Sequence, residues 1–162
     1  MFDAIVYFSE MTRRNRLAAE MGFLPVTISS PDDLEGLLEL YRDSDRFVAV
    51  TDTNTGNLSS PDGTYGFSKQ RAYTVFIVSS YEYGNMEDRQ RELNLCRQLF
   101  LQFVSKILHD KYKYEEELMY VDTHRIANQE LGRYYLSGMT GLFFTISVSE
   151  PVDLVYDDEQ WT

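Results

Sequence analysis

One cysteine, one tryptophan, two histidines and four prolines are all that 162 residues contain of these types, and each scarcity removes a class of explanation. A lone Cys96 allows no intramolecular disulfide, which argues against a small cross-linked secreted domain and fits a reducing compartment. The sequence has no cysteine pair, no histidine pair at helix spacing and no HExxH, so the ligand sets of ordinary zinc sites are missing. It has no GxSxG elbow, and GTYG at Gly63–Gly66 lacks both the spacing and the lysine of a phosphate loop. No apolar run is long enough to cross a bilayer. The opening MFDAIVYFSEMTRRNR is apolar only briefly, has no basic residue ahead of that part and carries Asp3 and Glu10, so it reads as neither a signal peptide nor a membrane span. Cations are in deficit, with 15 Lys and Arg against 26 Asp and Glu and a net charge of −11. Such a surface repels phosphate backbones and anionic lipid. It favours solubility, and it lets a polyanion slide past without sticking.

What is present is apolar and aromatic. Hydrophobic residues make up 43% and aromatic ones 14%, with twelve Tyr and ten Phe, which excludes a disordered chain and suits strands and interfaces. The length fits a single domain over 1–162 that buries its own core. Phe2 to Glu20 is predicted as one helix with Ile5, Phe8, Leu17 and Met21 inward, a basic stretch Arg13–Arg16 in its middle and Gly22 as its left-handed stop. A short extended run over 23–28 contains Pro25, which suits an edge. SSPDDLEGLLELYRDS is predicted as a short second helix, with Ser30 capping, Pro31 at the first position and Leu34, Leu37, Leu38 and Tyr41 at helical spacing. RFVAVTD reads as a strand buried on both faces, and residues 53–70 as a long loop or hairpin with Tyr65 and Phe67 near its tip. RAYTVFIVSS is a clear strand. The main helix follows, from Met86 to Lys111, with Glu87 and Asp88 in its first turn and His109 and Lys111 near its end, as the helix dipole favours. Its inward stripe is predicted as Leu93, Cys96, Phe100, Phe103, Val104 and Ile107, and Leu95, Leu99, Leu101 and Leu108 widen it beyond one face. Strands near Met119–Ala127 and over GLFFTISVSEP follow, then an acidic tail over 152–162 that contains Trp161. The order implies an α+β fold, an antiparallel or mixed sheet of about four to five strands packed on one long helix, with an N-terminal helix and a short second one.

The residues that carry chemistry elsewhere find no setting here. Asp122 and His124 would share a strand face, and they read as a surface polar pair. Cys96 lies on the apolar stripe, where a thiol is inert, and His109 is too far along the helix to serve it. DTNTGNLSSPDG, from Asp52, has a calcium-loop outline, but its glycine, Gly56, comes one place early and Gly63 stands where the closing glutamate belongs. Glu115, Glu116 and Glu117, with Asp157, Asp158 and Glu159, lie in polar segments and read as solvated acidic surface rather than a general acid and base, which need apolar neighbours. Arg89, Arg91 and Arg97 are ordinary surface ion-pair partners on a helix rich in acids. The sequence therefore points to no catalytic site, cofactor or metal.

From Arg71 onward the chain resembles phage or prophage tail-terminator and neck (head-tail joining) proteins. The residues that carry the resemblance are RAYTVFIVSS, the helix from Met86 to Lys111 and the closing GLFFTISVSEPVDLVYDDEQW. These are diffuse patterns that cover a little over half of the chain, and the first two helices fit them loosely. The resemblance implies a non-enzymatic ring, typically hexameric, that sits in the virion after assembly in the host cytoplasm. It implies tail-tube and neck or connector proteins as partners, with DNA passing through unbound and no membrane contact. No functional residue carries over with it. The residues themselves offer Tyr65, Phe67, Leu95, Leu99, Leu101, Leu108 and Trp161 as interface candidates, since buried aromatic and aliphatic anchors dominate such contacts. The six acids named above are the candidates for a channel or outer surface. A small cytoplasmic protein-binding adaptor with no virion role is the alternative reading.

Overall fold

The structure is a computed structural model that describes residues 2–28, 36, 46–113, 115–132 and 138–161, leaving aside the side chains of 53–55 and 115–117. Its elements in chain order are helix α1 (Ala4–Arg14), helix α2 (Arg16–Met21), strands β1 (Leu24–Thr27), β2 (Arg46–Ser59) and β3 (Ser68–Ser80), helix α3 (Met86–Tyr112), and strands β4 (Val121–Glu130) and β5 (Met139–Pro151). Among the described residues the strands form one five-stranded sheet in the order β1-β2-β3-β5-β4. Only β1 runs parallel to its neighbour, and the other three pairings are antiparallel. The fold is thus α+β with a mixed sheet.

The sheet buries both faces. Toward α1 and α3 it presents Val48, Val50, Tyr73, Val75, Ile77, Leu142, Phe144 and Ile146, which join Phe8, Cys96, Leu99, Phe103 and Ile107 in the main core. Phe8 lies at its centre, with ring centroids 5.8 Å from Phe144 and 6.3 Å from Phe103, so one side chain ties α1 to both the sheet and α3. The opposite face buries Val26, Ile28, Phe47, Ala49, Phe76, Val78 and Leu131. The strict alternation of these residues along β2 and β3 explains why RFVAVTD and RAYTVFIVSS look apolar throughout: each successive side chain enters a different core.

Two expectations change, and one left open between two readings is decided. The predicted first helix is two, because Asn15 interrupts it with an extended backbone. Its side chain accepts from Ala18 N at 2.8 Å and its own N–H donates to Met11 O at 2.9 Å, so one residue stops α1 and starts α2. Of the two readings for the turn-rich stretch after Asp52, a long loop or a hairpin, the structure has the hairpin. β2 runs on to Ser59 and β3 begins at Ser68, leaving a tip of 60–67 and an irregularity between Asp52 and Gly56. Pairing with β3 overrides the weak local preference of Asn, Gly and Ser, and the arm, open to solvent on both faces, needs no apolar alternation. Leu99 belongs to the inward stripe of α3 and is fully buried, while Phe100 and Val104 are half-buried. It lies three residues after Cys96 and four before Phe103, the spacing of one helix face. The predicted short helix over SSPDDLEGLLELYRDS lies outside the described residues apart from Gly36.

Other expectations hold. Gly22 adopts φ 75° and receives the chain with a Phe23 N–Ala18 O bond of 2.9 Å, the left-handed helix stop. Pro25 sits on edge strand β1, where its missing N–H costs no ladder bond. Asn85, not singled out in the sequence, caps α3 by accepting from Asp88 N at 3.0 Å.

Candidate functional site

Three exposed regions stand apart from the core, and each is built by an element with a reason to be there. The first is the outward side of α3. Its inward side chains, Leu93, Cys96, Leu99, Phe103 and Ile107, are buried. Leu101 and Leu108, seven residues apart, are 65% and 48% exposed, and Tyr112, one turn on, is 86% exposed. Met119, in the 3-10 helix Glu115–Tyr120, joins Leu108, Lys111 and Tyr112 around a shallow open depression. Lys111 holds this end of α3 to the sheet through its Nζ, which donates to the Val121 carbonyl. The sequence expectation of apolar surface beyond one helix face is therefore met at Leu101 and Leu108. It is not met at Leu99, which is core, while Leu95 is half-buried against the core.

The second region is the arm formed where β2, β3 and β5 outrun the helices. Its tip is a fixed turn. The Asp62 carboxylate accepts from Thr64 N at 2.8 Å and Tyr65 N at 2.9 Å. The backbone donors of Tyr65 and Thr64, then the Ser60 hydroxyl, hold its pKa below the ordinary carboxylate value. This turn leaves Tyr65 76% exposed, with Leu58 also exposed on the arm. Phe67 is half-buried, and its carbonyl accepts from Val152 N at 2.9 Å, where the tail leaves the sheet. The tail has a structure of its own. Asp157 caps a 3-10 turn over Asp158–Gln160 by accepting from Glu159 N at 3.0 Å, and the Tyr156 and Trp161 rings stack across it at 6.2 Å. Leu154, Val155, Tyr156 and Trp161 are all exposed, and residues 153–161 hydrogen-bond only among themselves within the described residues. Asp158 and Glu159 point to solvent, whereas Asp157 is engaged in the cap. The side chains of Glu115, Glu116 and Glu117 lie outside what the structure describes.

The third region was read in the sequence only as a basic stretch, Arg13–Arg16, within one helix. A pocket of about 340 Å³ opens between α1, α2 and α3, lined among others by Tyr7, by the bases Arg14, Arg16 and Lys106 and by the acids Glu10 and Asp110. Its floor is organised by the buried Asp110 carboxylate, which accepts from Tyr7 Oη at 2.8 Å, from Lys106 Nζ and, at 3.2 Å, contacts His109 Nδ1. Burial opposes that charge, and the Lys106, Tyr7 and His109 hydrogen bonds outweigh it, so its pKa lies below the usual value. Arg14 and Arg16 are exposed and form no ion pair among the described residues. The signal that points to this site is Asn15 inside RRNR: a capping residue between arginines breaks the helix and turns both guanidinium groups toward one hollow.

The residues weighed for catalysis are used structurally. Asp122 accepts from the backbone N of His124 at 2.9 Å beside an irregularity in β4, rather than orienting the imidazole. Cys96 is buried, and burial, followed by the nearby Glu92 charge, pushes its thiol up to about 12. Asp52 pairs with Arg71 at 2.6 Å. Glu92, almost fully buried, makes a two-pronged pair with Arg46, both bonds 3.0 Å, and accepts from Ser79 Oγ, while Arg46 also donates to the Met21 carbonyl. This network joins α2, β2, β3 and α3, and it is the kind of buried pair whose single deletion costs about 3–5 kcal/mol. Among the described residues no group of three His, Cys, Asp or Glu side chains is placed to hold a metal ion, and no helix is long and apolar enough to cross a membrane. No protein-family model matches the chain, and no curated protein matches it.

Proposed function

We propose that this chain is a non-enzymatic assembly protein that forms a homo-oligomeric ring at the tail end or neck of a tailed phage. The observation that carries this reading is the double character of α3. One side is sealed in the core, and the other offers Leu101, Leu108 and Tyr112 to solvent in a row beside Met119. Leu108, Tyr112 and Met119 border one depression, and apolar surface gathered in this way marks contact sites on soluble domains. The projecting arm with Tyr65, the separate tail and the acidic surface are compatible with a ring that touches a tube and lets DNA pass. The placement in a virion rests on the resemblance of the strands and long helix from Arg71 onward to tail-terminator and neck proteins.

Electron microscopy and light scattering of the purified chain test the ring. Closed particles of one size are expected, and a chain that stays monomeric at high concentration, alone and with tail-tube protein, would overturn the reading. Leu101→Ser with Leu108→Ser should abolish association while changing folding stability by no more than about 0.5 kcal/mol per site, the usual range for exposed positions. Tyr65→Ser should impair docking on tail-tube protein with equally little effect on folding. Unchanged particles in the leucine pair variant would remove α3 from the contact.

A further inference from the structure

We propose that the acidic, aromatic tail of one copy docks into the basic pocket between α1, α2 and α3 of the next, making a head-to-tail contact. This rests on the ring reading and names the segment that links neighbouring copies.

The two surfaces are complementary in charge and form. In a chain with 11 more acids than bases, Arg14 and Arg16 form no ion pair among the described residues, and they share one hollow with Lys106. The pocket's own carboxylates are engaged elsewhere, Glu10 with Arg13 and Asp110 with Tyr7 and Lys106, so neither closes on Arg14 or Arg16. The pocket is open and its floor is set by the Tyr7–Asp110–Lys106 bonds, so its shape exists before a partner arrives. The tail supplies what such a pocket binds. Asp158 and Glu159 are exposed on a turn that Asp157 has already capped, and the stacked Tyr156 and Trp161 rings stiffen it. A preformed turn loses less freedom on binding than a loose strand. Paired arginines take carboxylates in a planar, two-pronged geometry, and the aromatic rings give such a contact its apolar area. The tail is not seated in its own pocket, since its hydrogen bonds beyond Val152 are local. A contact between two different patches repeats from copy to copy and closes when the rotation allows, which is how rings arise.

The single tryptophan of the chain lies in this tail, 68% exposed, so its emission reports docking directly. With the full chain, Trp161 emission should shift to the blue as concentration rises, in step with mass by sedimentation velocity. Arg14→Glu with Arg16→Glu should weaken association at least about tenfold, as should Asp158→Lys with Glu159→Lys, since reversed charges at a contact repel. The two variants mixed one to one should associate again and recover the blue shift, because each then offers the complement of the other. Rescue in the mixture distinguishes a direct contact from misfolding of either variant.

Association with unchanged Trp161 emission and no response to either charge reversal would overturn the docking proposal while leaving the ring reading in place. A chain monomeric at every concentration would sink both. A Trp161 blue shift that is independent of concentration and lost in the arginine variant would place the tail in its own pocket and overturn the head-to-tail contact.

Discussion

At the scale of single residues, Gly141 is the position with least freedom. It opens the apolar part of β5 opposite Val78 with φ 149°, and a Cβ there would lie 2.0 Å from the Ile77 carbonyl oxygen. Both the backbone and the space exclude a side chain. Gly141→Ala should therefore cost about 3–5 kcal/mol, a value at the severe end for one substitution, read as a lowered midpoint in urea. A loss under about 1 kcal/mol would mean that β3 and β5 separate locally more easily than their continuous pairing implies. In the sequence Gly141 stood only as the first residue of the strand GLFFTISVSEP, because a close approach of two backbones leaves no periodic trace. Cys96 shows the opposite case. Its place on an apolar helix stripe already implied an inert, buried thiol, and the raised pKa follows from that placement.

At the scale of elements, the strands with alternating faces and the long helix were legible, because burial against two cores or one imposes a period on the side chains. Val75, Phe76, Ile77 and Val78 alternate between faces as expected, and α3 ends within one residue of its predicted limits. The arm was legible only as one of two readings, a long loop or a hairpin. Its residues face water on both sides, so nothing in Gly56–Ser59 or Ser68–Arg71 carries a pattern, and only pairing with a neighbour makes them strands. Leu99 was misplaced because α3 is apolar around much of its circumference, and composition alone does not fix which leucine points inward. The break at Asn15 was also missed: the apolar spacing of Phe8 and Leu17 runs across it, whereas the cap that divides the helix is a local hydrogen bond. Asn15 bears on two neighbours, since it also donates to Gln102 on α3 at 2.9 Å. Asn15→Ala should lower stability by about 1–2 kcal/mol, the cost of a lost N-cap together with one side-chain contact. Thermal unfolding measures it, and an unchanged midpoint would show that α2 is held by packing of Ala18 alone.

At the scale of the whole molecule, charge and apolar surface pull in opposite directions. Copies that each carry −11 repel one another, and that repulsion extends about 30 Å at 0.01 M salt but about 10 Å at 0.1 M. The proposed contacts through Leu101 and Leu108, or between the tail and the Arg14–Arg16 pocket, would act at much shorter range. Association should therefore strengthen as salt rises from about 0.01 to 0.1 M and level off or weaken above that, where the pocket contact is itself screened. Sedimentation at a series of salt concentrations measures this. Association that falls steadily from the lowest salt would mean that local attraction outweighs the overall field throughout. The apolar half of the candidate surface was readable in advance, at Tyr65, Leu101, Leu108 and Trp161. The basic half was not, since a pocket is a meeting of separate segments and no single stretch of chain contains it.

The bond between Val152 and the Phe67 carbonyl gives the arm a mechanical consequence. It fastens the root of the tail to the base of the arm's tip, beside the Ser68–Pro151 rung. Under the proposed ring, a partner that pulled Phe67 out of line would also loosen the root of the segment that carries Trp161.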